Sequence, residues 1–372
     1  MAYQEVNITS LQPGSFVVEV MQQTGDISVK HAGWVRTWQA IELLKIKGVV
    51  TVLIDTDKKL EPETAPDLQP EAEDKTERLL FAEELPRARK ILQQTVKTQK
   101  HLFNTVRRDK AIDLSLVHEV SAGLSDSVSR NQDVLLYLSR IAEQSDKLLQ
   151  HSVNCAIYIA AFARILNQPS HKIQSLITAA LLHDIGKVVN PEPLQQPDHL
   201  AINTSLGILQ KTPQLSGEVS LWISQHCAHL DGSGAPKISG AQIEKGSRML
   251  AIVNNYEKLT NPAQTKTGPL AASRTLLDRT PHQLDAELLQ WFIKCIGIYP
   301  PGSVVRLNSG RLALVLENNP KKPTSPRVKV FYHAIHQHHL PARTLDLSRM
   351  PDEQIEACVD LKKYGLELKN YL

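Results

Sequence analysis

The stretch Ala179-Ala180-Leu181-Leu182-His183-Asp184-Ile185-Gly186-Lys187 constrains this chain more than any other. Ile173, Leu176, Ile177, Ala180 and Leu181 recur at helical spacing. The run therefore reads as the end of an apolar helix that delivers an imidazole and a carboxylate side by side at the edge of a core. Gly186 stands where a left-handed residue commonly closes a helix. His nitrogen and Asp oxygen together suit a borderline divalent ion such as Fe, Mn or Zn. A His-Asp pair is equally at home on an ordinary surface, so the rest of the chain decides.

The chain has 372 residues, enough for two or three domains. Its 42 basic and 39 acidic residues leave a net charge of +3, which gives no electrostatic footprint for DNA. Cys155, Cys227, Cys295 and Cys358 are far apart and form no CxxC pair. They suggest neither a disulfide framework nor a zinc finger, and a reducing cytoplasm suits them. The polar start lacks the apolar core of a signal peptide. No apolar run is long enough for a membrane span.

The spacing of apolar residues predicts a mainly α protein: a helical domain with a small α/β domain before it and a small β-rich segment after it. Strands are expected at Ser15–Val20, Ile27–Val29 and Val49–Ile54, with a helix over Trp38–Lys47, so residues 1–56 read as an accessory domain. Residues 57–85 mix Pro with Asp and Glu and read as a linker. Residues 86–130 read as connecting helices. The stripe Ile91, Leu92, Val96, Leu102, Phe103 and Val106 suits either a packed domain helix or a homodimer seam. Further helices are expected over 131–300, including Leu148–Leu166, Ala201–Leu209, Val219–His226 and Arg248–Leu259. Residues 301–372 read as strands, with a hairpin turn at Asn308-Ser309-Gly310. His333, His336, His338 and His339 fall in a polar stretch that reads as an exposed loop.

Three predicted helices thus offer donors: His151; His183 with Asp184; and His226. Close by stands the loop Asp231-Gly232-Ser233-Gly234-Ala235-Pro236. Together these residues resemble the HD-GYP domain, a branch of the HD phosphohydrolases associated with cyclic di-GMP hydrolysis. The resemblance covers roughly 131–300, and Ser247–Asn254 resembles the helix that follows the loop there. The resemblance implies a helical fold holding two or three divalent ions, which activate water and neutralise a phosphodiester. It implies that Asp184 bridges, that His151 and His183 ligate one ion, that His226 ligates another, and that Lys187 reaches a phosphate oxygen.

Several positions depart from the family pattern. Ala201 stands where a His is expected, Cys227 and Ala228 where His and Glu are, Asn254 where an Asp is, and Ala235 where the Tyr of the signature is. Lys147 replaces an upstream Glu, and the segment between Lys187 and Ala201 is short. Asn254 keeps an oxygen donor but not its charge, and Cys227 ligates only as thiolate. The resemblance therefore implies one divalent ion or none. Two readings stay open: a metal-dependent cyclic di-GMP phosphodiesterase of impaired activity, and a non-catalytic module that binds a nucleotide or a signalling protein.

Overall fold

In a computed structural model, the described residues are 3–12, 14–24, 33–35, 41, 44, 48–59, 79–142, 146–190, 198–212, 214–261 and 267–371. Two units separate within the chain, Met1–Lys75 and Thr76–Leu372.

The first unit holds strands β1 (Tyr3–Asn7), β2 (Ser15–Gln23), β3 (Gly33–Val35) and β4 (Val49–Lys59). They form one antiparallel sheet in the order β1-β4-β2-β3. Ile8, Leu11, Val17, Val35, Ile41, Val49 and Val52 make its core. β1 has no counterpart among the expected strands, because it is an edge strand with almost every side chain exposed and so lacks a buried period of two. The strand expected at Ile27–Val29 lies outside the described residues. So do most of the helix expected at Trp38–Lys47 and residues 60–78 of the expected linker.

The second unit is built around helices α1 (Phe81–Arg107), α2 (Leu114–Ile141), α3 (Lys147–Ile165) and α4 (Ser170–Leu182). After them come α5 (Asp198–Leu209), α6 (Gly217–Gln225), α7 (Lys245–Thr260), α8 (Pro269–Leu277) and α9 (Ala286–Ile296). α1 starts before Pro86, since the Glu83 carboxylate accepts from the Leu80 N–H and closes the first turn. Of its stripe, Leu92, Leu102, Phe103 and Val106 are buried with Ala88, Thr95 and Gln99, while Ile91 and Val96 are half-buried, and the helix packs on α2. Buried Glu84 fastens the two helices, accepting from Arg130 at 2.7 and 3.0 Å and from Ser127 at 2.7 Å. Asp113 caps α2 by accepting from Ser115 N–H at 2.9 Å. α2 is two helical stretches joined across a kink at Asn131, whose backbone is non-helical. There the amide side chain bonds Asp133 N–H, the Leu79 carbonyl and Glu317 in place of a helical backbone bond.

α3 is the central helix. Asp146 caps it through the Leu148 and Leu149 N–H groups, and every residue from His151 to Ala163 is buried. Ala156, Ala160, Ala161 and Ala163 let helices approach it from all sides, which an amphipathic helix does not permit. At the C-terminal end, β5 (Val304–Leu307), β6 (Arg311–Glu317), β7 (Arg327–His333), β8 (His338–Asp346) and β9 (Ile355–Cys358) form an antiparallel sheet in the order β8-β7-β6-β5-β9. The expected loop of histidines is instead a tight hairpin, with His333 paired to His338 in register. β8 is exposed on both faces at the sheet edge, so it carries no hydrophobic alternation to read. No helix among the described residues is long and apolar enough to cross a membrane.

α4 ends at Leu182, and the chain continues as a 3-10 turn over Ile185–Val189. Gly186 is therefore not a left-handed cap. It is needed because the turn lies against α5: a Cβ there would stand 2.4 Å from Ser205 N and 2.6 Å from the Ala201 carbonyl oxygen. Gly186 N–H donates to Ser205 Oγ at 2.9 Å, and that hydroxyl donates to the His183 carbonyl at 3.1 Å. Gly186→Ala must push α5 off the turn. It is expected to cost about 1–3 kcal/mol in urea denaturation, and wild-type stability in that variant would contradict the packing.

Candidate metal centre

His183 and Asp184 sit at the buried C-terminal end of α4. A last-turn helix carbonyl there needs a partner, and buried Gln99 on α1 supplies it, donating from Nε2 to the Leu181 carbonyl at 2.8 Å. α1 thus fixes the backbone two residues before the His-Asp pair. His183 Nδ1 bonds the Ala180 carbonyl at 2.7 Å, and His226, at the end of α6, bonds the Ile223 carbonyl in the same way at 2.7 Å. A carbonyl only accepts, so each Nδ1 carries the proton and each Nε2 keeps its lone pair.

His151 on α3 completes the group. Its Nδ1 bonds the Glu257 carboxylate of α7. Glu257 is itself held by Asn154 at 3.1 Å and Asn261 at 2.7 Å. This turns His151 Nε2 toward the His-Asp pair, 3.2 Å from His183 Nε2 and 3.4 Å from Asp184 Oδ2. His183 Nε2 lies 3.4 Å from the same Asp184 oxygen. Donors about 2.1 Å from one ion stand about 3.0 Å apart on an octahedron and about 3.4 Å apart on a tetrahedron. The triangle of 3.2, 3.4 and 3.4 Å has that size. His183, Asp184 and His226 also offer donors within 4.8 Å of one another.

All four side chains are at most 2% exposed. Burial pushes His183 well below the ordinary imidazole range, and the neighbouring His226 and His151 rings add to it. Burial likewise pushes His226 down to about 4, so both rings are neutral ligands at pH 7. Burial opposes charge on His151 too, but the Cys155 sulfur and the Glu257 carboxylate outweigh it and hold its pKa well up. An ion held by His151 would take the place of that proton. Burial also opposes charge on Asp184. The His183 ring and the Lys187 ammonium overcome it, and the carboxyl lies well below its ordinary value. Lys187 Nζ donates to Asp184 Oδ2 at 2.8 Å from a buried position.

His151, His183, Asp184, Lys187 and His226 are thus brought together. Asn254 lies buried on α7, one turn before Glu257, and its Oδ1 is enclosed without a hydrogen-bond partner. An orphaned acceptor on the helix face that supports His151 fits a ligand role. Cys227 follows His226, and its carbonyl accepts from Ala235 N–H at 3.0 Å. Burial pushes its thiol up to about 12, and its sulfur is in neither group of converging donors among the described residues. Ala201 is buried in α5 against the Gly186 turn and offers only a methyl. The residues present therefore fit one divalent ion, while Ala201, Asn254 and Cys227 offer an alkyl group, a neutral amide and a thiol held protonated.

Glu257, Asn154, Asn261, Cys155 and Lys258 were not among the candidate donors apparent in the sequence. The signal available was helical spacing: Glu257 and Lys258 follow Asn254 by three and four residues, and Asn154 and Cys155 follow His151 likewise.

Residues 137–288 match a family model described as an HD domain. Residues 3–117 match a domain of unknown function (DUF3391), and 304–367 match a KOW domain associated with HD domain. The chain is 30% identical over 369 residues to a protein named cyclic di-GMP phosphodiesterase PA4108 from Pseudomonas aeruginosa, covering 92% of this chain and 89% of that one. It is 26% identical over 191 residues to cyclic di-GMP phosphodiesterase PdeB of Borreliella burgdorferi, covering 48% and 50%. A solved structure titled Bd1817, a HDG"Y"P protein from Bdellovibrio bacteriovorus, aligns with a TM-score of 0.49 at 17% identity, covering 78% of this chain and 98% of that one.

Two outcomes follow from the geometry. Glu257→Ala frees the His151 ring and is expected to weaken Mn binding by about 10–100-fold in a chelator competition, with helix content unchanged. In the metal-free protein the unfolded chain takes up the His226 proton near pH 6.5, but the folded chain does so only near 4. Between those values the unfolded form binds more protons, so stability falls as pH drops. His226→Gln is expected to make that fall shallower in thermal melts at pH 7 and pH 4.5.

Proposed function

We propose, on the premise that this chain belongs to the HD-GYP family of HD-domain proteins, that it is a metal-dependent phosphodiesterase that hydrolyses cyclic di-GMP with one divalent ion, Fe, Mn or Zn. The observation that carries this reading is the triangle of His151 Nε2, His183 Nε2 and Asp184 Oδ2, whose edges suit a single ion. The relatives named as cyclic di-GMP phosphodiesterases support the substrate.

A bound divalent ion supplies charge against the phosphodiester and makes a water more acidic. The chain's own residues do the rest. Glu257 takes the Nδ1–H of His151 and keeps the ring turned inward. The backbone carbonyls of Ala180 and Ile223 fix His183 and His226 in the ligating tautomer. Lys187 neutralises Asp184 and takes a phosphate oxygen when substrate enters, as a charge-assisted donor. In this reading the protein works in the cytoplasm, which its four free cysteines suit. The accessory domain at 1–56 and the β-rich segment at 301–372 then serve for signal input or a protein partner.

A second reading is favoured by a specific observation. Ala201, Asn254 and Cys227 leave the remaining ligand positions without charge. The chain would then bind the nucleotide without turning it over. Chromatography of cyclic di-GMP incubated with the Mn- or Fe-loaded protein separates the two. Slow, metal-dependent release of the linear dinucleotide, abolished in Asp184→Ala, is the expected result. Binding without product would select the second reading, and neither binding nor product would contradict both.

A further inference from the structure

Lys258 is a charged residue near the centre that the metal geometry does not use. It follows Glu257 directly and lies four residues after Asn254 on α7, so it shares the helix side that carries the orphaned Asn254 oxygen. Its Nζ stands 3.6 Å from Asp198 Oδ1 in the first turn of α5, and its side chain is 34% exposed. Asp198 is itself half exposed, so water screens this pair and restrains the ammonium weakly. The other groups under its influence line the centre. Its charge helps to depress His226 and draws on the Cys227 thiol. Burial works against the ammonium, and Asp184 and Asp198 hold it in the charged form. Lys258 therefore bridges, in charge, the rim of the site at Asp198 and its floor at Asp184.

On this side of the centre the metal donors run out: Ala201 offers a methyl and Asn254 an uncharged amide. Two ammonium groups carry the positive charge near this side, Lys187 paired with Asp184 and Lys258 paired with Asp198. We infer that Lys258 is a substrate-binding residue that places its ammonium against a phosphodiester oxygen, supplying with Lys187 the positive charge that a second metal ion would otherwise bring. An ammonium is a compact point charge on a flexible stem and binds phosphate without demanding a fixed ligand geometry. This assignment rests on the proposed reading of the site as one for a cyclic dinucleotide.

Two measurements test it separately from that reading. The first is equilibrium binding of a phosphorothioate analogue of cyclic di-GMP to the Mn-loaded protein. Lys258→Met is expected to weaken binding at least about tenfold, with Mn content and melting temperature unchanged. Lys258→Arg is expected to retain most of the affinity. Undiminished binding by Lys258→Met, or loss of Mn from it, would overturn the assignment. The second is Mn stoichiometry by elemental analysis. Wild type is expected to take one equivalent, and the double variant Asn254→Asp with Lys258→Ala a second one. If wild type binds no analogue at all, the cyclic di-GMP reading fails. The stoichiometry still decides whether Lys258 stands in for an ion, and one equivalent in the double variant would contradict it.

Discussion

A carboxylate buried in a helical core needs charge and hydrogen bonds around it, and the second unit of this chain is arranged around that need. Asp184 is 2% exposed. Unpaired, it would cost several kcal/mol on the order expected for a buried ion. Its Oδ2 instead receives the Lys187 ammonium and faces two imidazole nitrogens. Each of those neighbours is held from behind: His151 by Glu257, His183 by a backbone carbonyl, and the turn between His183 and Lys187 by Ser205. The chemistry of the site is therefore inseparable from the packing of α1, α3, α4, α5 and α7.

That dependence explains some sequence choices that carry no chemistry. Gly186 is small because α5 lies on top of it. α3 is rich in alanine because it must touch helices on every side while presenting His151 at a fixed height. Gln99 reaches across from α1 to satisfy the carbonyl of Leu181, which ties the first long helix of the unit to the His183-Asp184 pair. A shift of α1 or α7 would thus reach the donors through a single side chain.

Much of this was legible in the sequence. The helical period located α3 to α7 within a few residues, and the His-Asp run with His151 and His226 gave the converging donors. What was hidden depended on tertiary contact or lacked a period. Glu257 and Lys258 gain their meaning only from the rotation of α7 against α3 and α5, which no local pattern encodes. The role of Gly186 looked like helix termination because the spacing fits that rule, whereas the cause is a neighbour distant in sequence. Strands β1 and β8 escaped notice because both faces of an edge strand are wet. Ala201, Cys227 and Asn254 were readable as residues, and the structure adds what surrounds them: a packed methyl, a thiol held protonated, and an amide oxygen with no hydrogen-bond partner.

The central claim is that one divalent ion is held between α3 and α4. Anomalous diffraction from crystals grown with Mn tests it most directly. The account predicts one peak per chain, about 2.1 Å from His151 Nε2, His183 Nε2 and an Asp184 oxygen. A site without a peak, or with two peaks of similar height, would contradict it.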